Sequence, residues 1–211
     1  MRSFSHWTPR YIGSRIAEKY YYTIHPDHPW LTQTANEILF TYLKKSDVGL
    51  EFGSGRSTLW FAKRVGHLIS VEHDKAWFQK VSQTLKDNNL NNVDYRLHPR
   101  NMADEQGSET DYVKVIQGIK SDSIDFVLVD GIYRDFCALE SIRVIRPGGV
   151  MIIDDVHRYL PSDSTSPYSR TLKDGPKGQT WEKVYETISQ WRKIWTTSGV
   201  SDAAFFFKPI N

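Results

Sequence analysis

The sequence predicts an α/β protein built on a doubly wound, mostly parallel sheet. Three observations carry this. The stretch Val48–Asp74 holds an apolar run (Val48, Leu50, Phe52), a glycine turn, a helical pattern, and a second apolar run (Leu68, Ile69, Val71) ending in Glu72. Further apolar runs follow at Val93–Leu97, Ile124–Val129 and Val150–Ile153, separated by segments of helical period. Strands that alternate with helices need crossover connections, and crossovers give parallel pairing with helices on both faces. Finally, the runs end in acids: Glu51, Glu72, Asp130 and Asp154-Asp155.

Each element has its own signal. The segment up to Pro29 is rich in aromatics (Trp7, Tyr11, Tyr20, Tyr21, Tyr22), and its prolines predict irregular chain rather than a long helix. Residues 32–44 read as a helix, with Ala35, Ile38, Leu39 and Leu43 at helical spacing. A first strand spans 48–52, a helix 57–65 and a second strand 68–72. Asp74 is a plausible N-cap for a helix carrying Trp77, Val81 and Leu85 on one face. The stretch 100–123 is polar, with a short helix expected around 112–119. A helix at 134–145 leads through Pro147-Gly148-Gly149 into the fifth strand. Residues 158–180 form a long loop containing Pro161, Pro167, Gly175, Pro176 and Gly178; loops of that length are often functional or disordered. Residues 181–195 read as an amphipathic helix, and 196–209 as two strands or a hairpin ending in Phe205-Phe206-Phe207.

Composition fits one domain of 211 residues: an extension at 1–45, then a core at 46–211 with a lid-like loop at 158–180. A net charge of +2 gives no strong electrostatic case for a nucleic-acid partner. No apolar run approaches the roughly 20 residues of a membrane span, and no charged-then-apolar leader is seen, so no membrane partner and a cytoplasmic location are expected. Cys137 is the single cysteine, which excludes an intrachain disulfide or a thiolate metal cluster.

The loop Glu51-Phe52-Gly53-Ser54-Gly55 is the chemical centre of the chain. Gly53 and Gly55 allow a sharp turn and close approach of a ligand. The loop opens a helix, so free N–H groups and the positive end of the helix dipole face that ligand. Glu72, at the tip of the next strand, can accept two hydrogen bonds from a ribose diol, each worth roughly 1.5–3 kcal/mol. The third glycine of a dinucleotide fingerprint is replaced by Thr58, and the Gly-Lys-Ser/Thr end of a P-loop is absent.

The pattern E-x-G-x-G-x-x-T over Glu51–Thr58 resembles motif I of the class I S-adenosylmethionine-dependent methyltransferases. Glu72 falls at that family's ribose-binding acid, and IDFVLVDG and RPGGVMIIDD match its fourth and fifth strands. The resemblance implies a Rossmann-like sheet of seven strands with an antiparallel closing strand. It implies S-adenosyl-L-methionine as cofactor, with Glu51, Gly53, Ser54, Gly55, Ser57 and Thr58 toward the methionine end and Glu72 on the ribose. Asp130 lies at the reaction centre, His73 at the rim of the ribose or adenine, and His98 at an adenine contact.

The acids after strands four and five add a second expectation. If those strands are neighbours, their ends lie about 5 Å apart. Two carboxylates there repel by roughly 3 kcal/mol at an effective dielectric of 20, so the cluster should hold a proton or a cation. Hard oxygen ligands suit Mg²⁺, with Ca²⁺ or Mn²⁺ as alternatives. Asp130, Asp154 and Asp155 resemble the site of metal-dependent O-methyltransferases of the catechol and caffeoyl-coenzyme A type, although Asp155 stands where asparagine is more usual. A divalent ion would lower the pKa of an acceptor hydroxyl. Without one a general base is needed, and His157 is the candidate beside Asp130.

The expected activity is methylation of a small-molecule hydroxyl. A tRNA or other macromolecular acceptor, or a catalytically silent cofactor-binding module, are the alternatives. Trp7 and the N-terminal tyrosines are candidates for a substrate wall or a homodimer contact. Tyr168 and Arg170 are candidates to close over the acceptor. Trp60, Phe61 and Trp77 are expected in the core rather than in a ligand cradle.

Overall fold

A computed structural model of the chain describes residues 7–100 and 107–210. Residues 1–6 of the N-terminal segment and 101–106 of the polar stretch lie outside the described residues. Fourteen elements are numbered in chain order: α1 (Pro9–Ile24), α2 (Gln33–Tyr42), β1 (Val48–Phe52), α3 (Arg56–Ala62), β2 (His67–Glu72), α4 (Lys75–Asp87), β3 (Val93–Leu97), α5 (Asp111–Lys114), β4 (Ile124–Val129), α6 (Arg134–Val144), β5 (Ile145–Asp154), α7 (Gln179–Ile188), β6 (Arg192–Thr197) and β7 (Asp202–Phe207).

The seven strands form one sheet in the order β3-β2-β1-β4-β5-β7-β6. Neighbours from β3 through β5 pair in parallel, and β7 runs antiparallel to both β5 and β6. Alternation along the central strands feeds two cores. On β4, Val127 and Val129 face a cluster with Tyr112, Ala138, Val184 and Ile188. Phe126 and Leu128 face the other way, onto Leu39, Trp60 and Phe61. Strands buried on both faces read as continuous apolar runs, which is why this part of the sequence is easy to parse.

Three elements depart from expectation. The N-terminal segment is a sixteen-residue helix, not irregular chain. Thr8 caps it by accepting from the Tyr11 N–H at 3.2 Å, and Pro9 sits in the first turn, where the missing N–H costs nothing. Its other prolines, Pro26 and Pro29, fall after the helix has ended. The helix expected over 181–195 stops at Ile188, and Arg192–Thr197 is a strand paired with β7. The hydroxyls of Thr32, the N-cap of α2, and Thr196 on β6 lie 2.6 Å apart, tying that edge to the N-terminal layer. Finally, β5 begins at Ile145, and its pairing with β4 shifts between Ile124 and Phe126 to absorb the Pro147-Gly148-Gly149 turn.

The long loop is folded back on itself. Pro161 bridges to Arg170, the Arg170 N–H donates to the His157 carbonyl at 2.9 Å, and the Lys177 N–H donates to the Tyr159 carbonyl at 2.8 Å. Among the described residues, no helix is long and apolar enough to cross a membrane.

Candidate functional site

The parallel strands direct their carboxyl ends to one edge of the sheet, where ligands of such folds bind. A cleft of about 350 Å³ opens there along the glycine loop, lined by Ser54, Gly55, Ser57, Trp77 and Asp130, among others.

The glycine loop is built from beneath. Gly53 takes φ +91°, a region that disfavours side chains, and a Cβ there would lie 2.7 Å from the Gly131 amide nitrogen. Gly55 is extended rather than left-handed, with open space beside Trp77. Glu51 is buried under the turn. It accepts from the Thr58 hydroxyl at 2.6 Å and the Ser70 hydroxyl at 2.7 Å, and Thr58 accepts from the Gly55 N–H at 2.9 Å. Burial pushes the Glu51 carboxyl up from 4.5 to about 7, while the hydroxyls of Ser57, Thr58 and Ser70 pull it back. Its Oε1 has no hydrogen-bond partner.

Glu72 faces the loop from the tip of β2 and is buried. Its Oε2 accepts from the Ser54 N–H at 3.1 Å and the Ser54 hydroxyl at 2.6 Å; its Oε1 accepts from the N–H groups of His73 and Asp74 at 2.7 and 2.8 Å. The Ser54 hydroxyl, also 2.6 Å from the Tyr95 hydroxyl, thus occupies one of the places a sugar hydroxyl would take. His73 Nδ1 lies 3.0 Å from Glu72 Oε1 without hydrogen-bond alignment. The His98 N–H donates to the Glu72 carbonyl at 2.8 Å, so His98 serves this corner through its backbone.

Two residues of this crevice escaped the sequence reading. Trp77 is not core: its indole N–H donates to the Ser54 carbonyl at 2.8 Å. Trp60 and Phe61 are buried as expected. Tyr112, from α5, has a hydroxyl that is buried without a partner, and a Cβ on Gly131 would overlap it. Desolvation first, then Cys137 and the acids Glu72, Glu51 and Asp130, hold that phenol well above its ordinary pKa, so it is a neutral donor. Two buried polar atoms beside the glycine loop, the Glu51 Oε1 and the Tyr112 hydroxyl, have no partner among the described residues, and with the Glu72 carboxylate they fit a polar ligand there.

The acidic cluster corrects the metal expectation. Arg134, the first residue of α6, occupies the place a divalent ion would take between β4 and β5. Its Nη2 donates to the Asp130 Oδ1 at 2.7 Å and to the Asp130 carbonyl at 2.9 Å; Nη1 donates to the Asp154 carbonyl at 2.6 Å and lies 3.7 Å from the Asp154 carboxylate; Nε donates to the Gly131 carbonyl at 3.1 Å. Burial raises the pKa of both carboxyls, the charge of Asp130 raises that of Asp154 further, and Arg134 pulls both back. The guanidinium stands against both carboxylates and relieves the repulsion that Mg²⁺, Ca²⁺ or Mn²⁺ was expected to relieve. Asp155 turns away at φ +53° and pairs with Arg158 at 3.2 Å. Among the described residues, no three acid, histidine or cysteine side chains form a group that could hold a metal. The residues do not fit a resident metal.

His157 is also corrected. It is fully buried, and its Nδ1 accepts from the Asp202 N–H at 3.2 Å, pinning the turn after β5 to β7. Burial lowers its pKa. A base must reach the proton it takes, and this imidazole has no exposed surface. Asp130 keeps 31% of its side chain exposed.

A family model described as a methyltransferase domain matches residues 50–156, just over half of the chain, from β1 to the turn after β5. No curated protein matches by sequence. Among solved structures, a methyltransferase-like protein from Silicibacter pomeroyi is 25% identical, with 88% of this chain and 92% of that one covered and a TM-score of 0.56. A methyltransferase from Geobacter sulfurreducens is 13% identical over 93% and 89% of the two chains, with a TM-score of 0.54. A tRNA methyltransferase from Aquifex aeolicus is 14% identical over 84% and 68%, with a TM-score of 0.50. At such identities the last two matches show the fold alone. With its seven-stranded sheet and a family match that spans the glycine loop and both acidic strand ends, the chain belongs to the methyltransferase-domain family, whose cofactor is S-adenosylmethionine.

Proposed function

We propose that this protein methylates an oxygen of a small molecule, with Glu72 on the cofactor's ribose and Asp130 as the base. The observation that carries it is the Glu72 carboxylate, buried at the tip of β2 and held against the loop that begins α3. When bound, S-adenosylmethionine supplies an electrophilic methyl group on a sulfonium. The chain's residues do the rest. The Ser54 hydroxyl yields its place on Glu72 Oε2, and the Gly53–Thr58 loop presents its backbone to the methionine end. Asp130 takes the acceptor's proton; burial raises its pKa, which makes it a better base than an ordinary aspartate, while Arg134 keeps it oriented. Arg134 stands where a resident cation would, so the proton has to be removed by a side chain. A macromolecular acceptor has no comparable observation behind it.

Calorimetry tests the reading. Glu72→Ala is expected to weaken S-adenosylmethionine binding about tenfold or more. An affinity unchanged in a variant with a native circular dichroism spectrum would refute the ribose role.

A further inference from the structure

One strand further along the sheet, the ends of β4 and β5 open into a second cleft of about 380 Å³. Three aromatic rings wall it. Tyr159 is stacked on Trp181, with centroids 5.0 Å apart and planes 18° from parallel. Tyr133, the N-cap of α6, is held at φ +50°. A non-glycine residue in that region is strained and marks a position fixed by its surroundings.

Cations sit at the faces of these rings. The Arg100 guanidinium lies 6.0 Å from the Tyr133 centroid, and the Lys177 ammonium 5.4 Å from that of Tyr159. Neither has an acidic partner among the described residues, whereas Arg134, also at the cleft, is committed to Asp130 and Asp154. Among the described residues that line the cleft, one carboxylate, Asp135, opposes them. The eleven-residue helix α6 starts at this cleft with no side-chain cap, which adds the positive end of its dipole. Gly131, next to Asp130, forms part of the wall.

We propose that this cleft is the acceptor site, and that it takes a small aromatic molecule bearing a phosphate or carboxylate. The flat walls suit a ring; the two uncommitted cations and the helix start suit the anion. The volume is that of a single small ligand. A nucleic acid asks for a longer track of cations, commonly six to ten phosphate contacts, than two side chains supply. The word acceptor rests on the methyl-transfer reading above; the binding chemistry does not, and is tested without cofactor.

Phenyl phosphate and benzoate are titrated into the protein by calorimetry and by tyrosine and tryptophan fluorescence at low salt. At least one is expected to bind, with phenol and inorganic phosphate each about tenfold weaker or worse. The double variant Arg100→Ala/Lys177→Ala is expected to lose about tenfold or more in affinity, and the charge-preserving Arg100→Lys/Lys177→Arg to stay within about threefold. Both variants are expected to keep their melting temperature and their affinity for S-adenosylmethionine. Failure of both anions to bind overturns the proposal. So does phenol binding as tightly as phenyl phosphate, equal affinity in the double alanine variant, or displacement of the anion by a tRNA fragment with a steep salt slope. Anion binding that persists while S-adenosylmethionine fails to bind would count against the methyl-transfer reading and leave this site standing.

Discussion

Glu72 and Asp130 look alike in the sequence, each an acid at the tip of a parallel strand, yet the structure treats them in opposite ways. Glu72 is met by backbone N–H groups and a serine hydroxyl, all neutral donors. Asp130 is met by a guanidinium that also reaches the neighbouring Asp154 carboxylate. Neutral donors can be exchanged for ligand hydroxyls at little cost. A buried ion pair cannot lose one partner without leaving an uncompensated charge. The first acid is therefore held by neutral donors that a ligand could replace, and the second by a guanidinium that orients it. A strand-end acid says only that a partner is needed; the partner's identity decides the chemistry.

The largest test of that contrast is Arg134→Met. Leaving Asp130 and Asp154 together without their cation is expected to cost about 3–5 kcal/mol, seen as a fall of roughly 10 °C in melting temperature. EDTA should leave the melting curve of the unaltered protein in place. A loss under about 1 kcal/mol, or a chelator effect on the unaltered protein, would show that the guanidinium is not the counter-charge.

Glu51 offers a sharper test on the binding side, through pH. Its folded pKa of about 7 stands above its ordinary 4.5, so its contribution to stability is complete below about pH 4.5 and is lost as pH rises through 7. The displacement corresponds to about 3 kcal/mol. Glu51→Gln, a permanent mimic of the neutral form, should match the unaltered protein near pH 4.5 and exceed it in stability at pH 8. Urea unfolding across that range reads the difference; parallel stability curves would mean that Glu51 does not titrate in the fold.

The smallest effect is expected from Trp77→Phe. It removes one neutral hydrogen bond to the Ser54 carbonyl and should cost about 1 kcal/mol with a loss of about threefold in cofactor affinity. An unchanged affinity would separate the indole from the loop it braces.

Much of the sheet was legible because β1, β4 and the second half of β5 are buried on both faces and separated by segments of helical period, with Asp74 marking the start of α4. Where reading failed, local signals were outvoted by position. Pro9 was counted against a helix that it helps to start. The strand Arg192–Thr197 hid behind an amphipathic period that continues from α7, although its Trp195, Thr196 and Thr197 favour strand. At the site, the Gly53 turn and both strand-end acids were legible. Arg134 was not, because its role depends on a guanidinium reaching back four residues to Asp130 and across to a neighbouring strand. Tyr112 was not, because its segment enters the crevice from a connection with weak periodicity. His157 was misread because an imidazole after a strand says nothing of burial.

The contact between Gly53 and Gly131 joins the two halves of this edge. Their backbones meet so closely that a methyl group on either would strike the other's main chain, and Tyr112 closes the third side. A side chain at either glycine would therefore disturb both turns at once, so these two strand ends tolerate change only together.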